Sequence, residues 1–353
     1  MPSRHLRSLL FLLAMFAPAG FASAQPDSHP VSIPVLCYHR FADHYKDDYA
    51  VTPAEFKRQL EIIREEGFTP ITAGHLAEGL AGRVTLPAKP LVITADDGYK
   101  DFVTHAKPML DSFGFPATFF VYANFVNSKN GVTRDQLAML QQAGYEIGSH
   151  STSHPHLSRY PAEWPEARKQ KALRDELVTS RAKLQEWSGG PVSTLAYPYG
   201  LWDREVAEVA AAAGYEAQFT VNPGPNPTNQ PKTSLNRFMI MRGTQDKTFR
   251  AMLRDRALEV KAWRPGLGER VKGPLTEVTL TLTPDTMAII DPASLKLQCG
   301  SQTLELTAHP STGEVHGTFG KPLEKGTQLL ILTAKDAKRQ NTFKTSWLVI
   351  VDK

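Results

Sequence analysis

The 353 residues are too many for one typical domain and comfortable for two, and 40 Lys and Arg against 36 Asp and Glu leave a formal charge of only +4. With no Lys/Arg block and no interleaving of basic and aromatic residues, nucleic-acid binding has no support. Two widely separated cysteines, Cys37 and Cys299, exclude a disulfide scaffold and give no metal clip; Cys37 lies in an apolar run and reads as a small buried hydrophobe.

The chain opens on Arg4 and Arg7, an apolar run from Leu9 to Ala19 and the small-x-small box Ala22-Ser23-Ala24. This is the pattern of a secretory signal peptide over residues 1–24, with a run too short to span a bilayer. Its removal takes Lys and Arg from 40 to 38 against the same 36 acids. No later stretch is apolar enough to cross a membrane, so a secreted or periplasmic protein without a membrane span is expected.

Strand-like and helix-like segments then alternate. Val35 to Tyr38 is a short apolar run. Thr52-Pro53-Ala54-Glu55 is a capping box with proline at the first helical position, followed by Phe56, Leu60 and Ile63 at helical spacing. Leu91 to Thr94 and Ala117 to Val121 read as buried strands, Thr133 caps a helix that ends at Gly144, and Tyr145 to Gly148 returns to strand. A long polar helix is predicted from about Ala162 to Trp187, a strand over Leu195 to Tyr197, a helix over Asp203 to Ala213, and strands over Ala217 to Val221 and Phe238 to Met241. Such alternation predicts a parallel sheet with helices outside it. An irregular (β/α) barrel is favoured over an open doubly wound sheet because His39, the Asp96-Asp97 pair, His150 and Tyr199 each follow a strand, where barrel active sites are built.

From about Glu277 the pattern changes to period two, in short runs separated by Asp291-Pro292, Ser311-Thr312-Gly313 and Lys325-Gly326. That predicts a small all-β sandwich. The expected organisation is therefore signal peptide 1–24, barrel 25–262, a linker 263–273 around Trp263 to Gly268, and sandwich 274–353.

Thr94-Ala95-Asp96-Asp97-Gly98 sets two carboxylates at a strand end, where neighbours point opposite ways, so that one can bind a cation while the other takes a proton. Taken alone, Asp-Asp-Gly is also ordinary turn chemistry. His150-Ser151-Thr152-Ser153-His154 spaces two imidazoles four residues apart, which on a helical turn puts both on one face, and His156 adds a third nearby. Two histidines and one carboxylate with positions left open make a catalytic zinc-type site. Tyr197-Pro198-Tyr199-Gly200 fixes a backbone that can approach a ligand, and a backbone N–H there can face an oxyanion; it can also be only a rigid turn.

These motifs resemble the polysaccharide deacetylases of carbohydrate esterase family four, the NodB-like domains, over about residues 31 to 245. The first resembles that family's Thr-Phe-Asp-Asp-Gly with alanine for phenylalanine, and the second matches its His-Ser/Thr-x-x-His. Ala196-Tyr197-Pro198-Tyr199-Gly200 resembles its Arg-x-Pro-Tyr-Gly, with Ala196 where arginine is usual. The resemblance implies Asp96 as general base, Asp97, His150 and His154 as ligands of a divalent metal, with Zn2+ expected, and the Tyr199 backbone N–H at the oxyanion. The family's late Leu-x-His acid is missing, because no histidine lies between His156 and His309. Pro34 to Phe41 resembles the opening of the subgroup that de-N-acetylates poly-β-1,6-N-acetylglucosamine in biofilms, whose barrel is circularly rearranged and whose early histidine is the acid; His39 fits that place.

The β half resembles bacterial Ig-like modules, which space domains or contact glycan and cell envelope. The resemblance implies an N-acetylated polysaccharide as substrate, leaving open an O-acetyl polysaccharide esterase and an inactive glycan-binding protein.

Overall fold

The computed structural model describes residues 31–44, 47–161 and 163–352. The signal-peptide reading of residues 1–24 and the helix start expected at Ala162 lie outside them.

Seven parallel strands form one curled sheet: β1 (Val35–Tyr38), β2 (Pro90–Ala95), β3 (Thr118–Val121), β4 (Glu146–Ser149), β5 (Thr194–Ala196), β6 (Ala217–Phe219) and β7 (Phe238–Met239). Their spatial order is β6-β5-β4-β3-β2-β1-β7, with the short strand Thr69–Ile71 also paired to β2. The segment leading into β7 nearly closes the curl. Leu235 bridges Phe219 of β6, and Phe238 three residues later pairs with Leu36 of β1. Strands β1, β2 and β3 are buried throughout, as expected for a parallel sheet covered on both faces.

The helices α1 (Pro53–Glu65), α2 (Ala73–Leu80), α3 (Lys107–Phe113), α4 (Arg134–Gln142), α5 (Glu166–Ser188), α6 (Arg204–Ala212) and α7 (Asp246–Arg254) join the strands. The capping boxes at Thr52 and Thr133 both form, and Asp203 caps α6. On α5, Leu173, Leu177 and Leu184 make the buried stripe against the barrel core. Each such fully buried side chain contributes about 1.5–3 kcal/mol over exposure. No helix among the described residues is long and apolar enough to cross a membrane.

The C-terminal region is all β apart from one short helical segment, Pro284–Ile289, with its own core around Leu280, Leu297, Leu332 and Trp347. Its strands are β8 (Arg256–Ala257), β9 (Val260–Arg264), β10 (Arg270–Lys272), β11 (Leu275–Leu282), β12 (Ile290–Cys299), β13 (Glu305–His309), β14 (Glu314–Leu323), β15 (Gly326–Asp336) and β16 (Thr342–Asp352). One sheet runs β8-β16-β15-β12 with β10 also on β16; the other runs β9-β11-β14-β13. Much of the stretch read as linker is therefore strand: Trp263 and Arg264 end β9, paired to β11, and β10 pairs with β16. At the junction Arg270 Nη1 donates to Asp203 Oδ2 at 3.0 Å, and Lys344 Nζ to Asp255 Oδ2 at 2.7 Å.

Candidate active site

The mouth of the barrel, at the C-terminal ends of β1, β2, β4 and β5, holds a cavity of about 420 Å³ lined by His39, Asp96, Asp97, His150, His154 and Tyr199, with Val221 and Met239 as apolar wall. The ladder between β1 and β2 continues one residue past β2, where the Asp96 N–H donates to Tyr38 O at 2.9 Å. Asp97 then turns into the left-handed region at φ 74, and both carboxylates reach His150 Nε2, Asp96 Oδ2 at 3.9 Å and Asp97 Oδ1 at 3.6 Å. The next residue must be glycine: at φ 94, a Cβ on Gly98 would stand 2.8 Å from Val121 Cγ1.

The segment from His150 to His154 is not a helical turn, contrary to the expectation from its four-residue spacing. Ser151 and His154 sit at φ 70 and φ 62, which no α-helix admits. A loop brings the rings together instead. The Ser151 hydroxyl accepts from the His154 N–H at 3.0 Å, and Glu176 on α5 accepts from the Thr152 and Ser153 N–H groups at 3.0 and 2.9 Å. The two Nε2 atoms end 3.2 Å apart.

Asp97 Oδ1 lies 3.6 Å from His150 Nε2 and 3.4 Å from His154 Nε2. Ligands about 2.0–2.1 Å from a tetrahedral ion are separated by about 3.3–3.4 Å along each edge, so the three spacings match one face of such a site. The protonation states agree. His150 Nδ1 is 2.7 Å from the carbonyl oxygen of Ala196, which assigns its proton to Nδ1 and leaves the Nε2 lone pair facing the cluster. Burial pushes His150 down to about 3 and lowers His154, so both rings are neutral and their contacts with Asp97 are not salt bridges. Burial, then the Asp96 charge, raises Asp97 to about 7. Neutral imidazoles converging beside a carboxyl form a donor set that fits a divalent cation, whose charge would favour the carboxylate. His156 stands outside the set, stacked on Tyr199 with ring centroids 4.2 Å apart.

Asp96 is treated in the opposite way. Burial favours its neutral form, but the Arg237 guanidinium outweighs that and holds the carboxyl well below the usual range. Arg237 is wholly buried and forks onto both oxygens, at 2.6 Å to Oδ1 and 2.7 Å to Oδ2, with further bonds to Thr94 Oγ1 and Thr220 O. No motif announced Arg237. The available signal was Ala196: a buried carboxylate needs a cation, and with alanine at the usual arginine position another segment had to supply it. Cys37, buried as expected, places Sγ 3.4 Å from Asp96 Oδ2.

His39 groups with Asp96 and Cys37, side-chain atoms within 4.8 Å of one another. Its Nδ1 is buried without a partner among the described residues. Burial lowers its pKa, and the Asp96 carboxylate opposes that fall. Tyr197 is buried and Tyr199 exposed on either side of Pro198, with Tyr199 at φ 59. Gly200 is required behind it, since a Cβ there would meet Val221 N at 2.7 Å.

Residues 83–218 match the polysaccharide deacetylase family. YxkH of Bacillus subtilis, which bears the name of a polysaccharide deacetylase, is 24% identical over 224 residues, 64% of this chain and 77% of its own length. The poly-β-1,6-N-acetyl-D-glucosamine N-deacetylase of Escherichia coli is 30% identical over 95 residues, 26% of this chain and 14% of that one. Among solved structures, IcaB from Ammonifex degensii superposes with a TM-score of 0.55 at 25% identity, covering 64% of this chain and 97% of that one. Residues 83–218 are thus similar to polysaccharide deacetylases, and these likenesses make the chain a hydrolase of carbon–nitrogen bonds.

Proposed function

We propose that this hydrolase is metal-dependent and removes N-acetyl groups from an exported N-acetylglucosamine polysaccharide of the poly-β-1,6-linked kind. The observation that carries the reading is the pairing of a three-ligand face, Asp97, His150 and His154, with an ion-paired carboxylate, Asp96, in one cleft. The substrate class rests on His39 at the end of β1, the absence of a histidine between His156 and His309, and the likeness to the E. coli enzyme.

Asp97, His150 and His154 would hold the ion, for which neutral imidazoles and a carboxylate suit zinc. Bound there, such an ion supplies Lewis acidity and brings the pKa of water down to about 7. Asp96, ionised at all working pH values, accepts the proton of the attacking water as it adds to the acetamide carbon. The Tyr199 backbone N–H donates to the oxyanion that forms. Collapse breaks the carbon–nitrogen bond, and His39 gives its proton to the departing amine. That proton is the one Asp96 took from the water, since the buried His39 ring is neutral beforehand and lies within 4.8 Å of Asp96. Val221 and Met239 offer the acetyl methyl an apolar bed.

The leader over residues 1–24 fits export to the periplasm or medium, where such polymers lie. We read the β region as an Ig-like module that can contact glycan or envelope. The test is acetate release from N-acetylglucosamine polymers, peptidoglycan and acetylxylan, before and after chelation. Metal-dependent release from β-1,6-linked polymer supports the reading; release from acetylxylan alone assigns an O-acetyl esterase, and none from any substrate an inactive binder.

A further inference from the structure

Among the described residues six large apolar or aromatic side chains are exposed: Val31, Tyr49, Val84, Met139, Val178 and Tyr199. The four aliphatic ones lie outside the cleft, and isolated exposures of that kind need no explanation. The two aromatic ones, 45% and 52% exposed, both line the catalytic cleft. Their rings stand against different histidines. The Tyr49 ring lies 5.2 Å from that of His39, and Tyr199 packs on His154 at 4.6 Å and on His156 at 4.2 Å. Neither phenol makes a hydrogen bond among the described residues. His156 takes one face of the Tyr199 ring, and the part of each ring that stays exposed suits something apolar on its face and polar at its edge.

A β-linked pyranose has that form, with C–H bonds on its faces and hydroxyls around its rim. The cavity of about 420 Å³ is at the small end for ligand sites, so it can enclose the reacting sugar while its neighbours lie on the rim. We infer that Tyr49 and Tyr199 are stacking platforms for pyranose rings on the two sides of the reacting residue, so that one polysaccharide chain is threaded through the cleft and deacetylated at interior positions. The inference rests on the proposed function and extends it to how the polymer is held.

The experiment compares kcat/KM for acetate release from β-1,6-linked N-acetylglucosamine oligomers of one to six residues. The same proteins are titrated calorimetrically with the fully deacetylated hexamer, which no deacetylase consumes. In the wild type, kcat/KM rises with length. Tyr49→Ala lowers the ratio of hexamer to monomer kcat/KM about tenfold and weakens hexamer binding by a similar factor, whereas Tyr49→Trp keeps both. Tyr199→Ala is read by titration alone, because its backbone is assigned to the reaction, and weakens binding likewise. Acetate release with an unchanged length ratio and unchanged hexamer affinity in Tyr49→Ala overturns the inference and leaves the proposed function standing. If the wild type releases no acetate, that function fails, and the titration alone decides for or against the platforms.

Discussion

Asp96 and Asp97 share a peptide bond and have opposite surroundings. On the Asp96 side, the wholly buried Arg237 forks onto both carboxylate oxygens and fixes the negative charge. On the Asp97 side two neutral histidines converge, and burial with the Asp96 charge raises the carboxyl to about 7. One residue is built to stay charged; the other, on the proposed function, would take its charge from a bound ion. The difference comes from the Arg237 fork, which bonds Asp96, and from the left-handed turn at Asp97, which sets its carboxylate beside His154 as well as His150.

The strongest way to sharpen that contrast is on the Asp96 side, at His39. His39→Ala should slow turnover about 10²–10⁴-fold while leaving metal stoichiometry unchanged, because it belongs to the proton-transfer half and not to the ligand half. Near-full turnover in a metal-loaded variant would make His39 structural and move the search for the acid to His156.

Next comes the ion pair. Arg237→Met leaves a buried carboxylate without a counter-charge and should cost about 3–5 kcal/mol of stability in denaturant unfolding. Adding Asp96→Asn should return a large part of it, since the pair is then removed as a unit. Equal costs in single and double variants would show that Arg237 acts by packing and not by holding Asp96.

The smallest effect is on the Asp97 side and depends on pH. In the metal-free chain the folded Asp97 keeps its proton up to about pH 7, against 3.8 for an ordinary aspartate. Metal binding must displace that proton, so affinity should fall about tenfold per unit as pH drops below 7 and flatten above it. By the same linkage, metal-free stability falls as pH rises from about 4 to 7, because the unfolded chain binds fewer protons there than the folded one. An affinity that is flat down to pH 5 would show that Asp97 is already ionised without the ion.

Much of the framework was legible in the sequence. The boxes at Thr52 and Thr133 and the apolar runs of β1, β2 and β3 carry local signals, and the structure has those elements. Local signals fail where tertiary contacts decide. The His-x-x-x-His spacing fits a helix, yet Glu176, in another element, holds that segment as a loop. α2 has eight residues and two glycines, too little for a helical pattern to show. β9 lies at a sheet edge, where one buried and three exposed residues erase the alternation that marks a strand. Arg237 belongs to no motif; its role appears only when the chain entering β7 lies along β1 and the side chain reaches Asp96 at the end of β2.

The division of labour between the two aspartates is tested most directly by titrating zinc into chelator-stripped wild type, Asp96→Asn and Asp97→Asn, with acetate release followed on the same samples. The account predicts one zinc per chain and restored release in wild type, one zinc without release in folded Asp96→Asn, and neither in Asp97→Asn. Loss of zinc in Asp96→Asn with retention in Asp97→Asn would reverse the assignment and contradict the account.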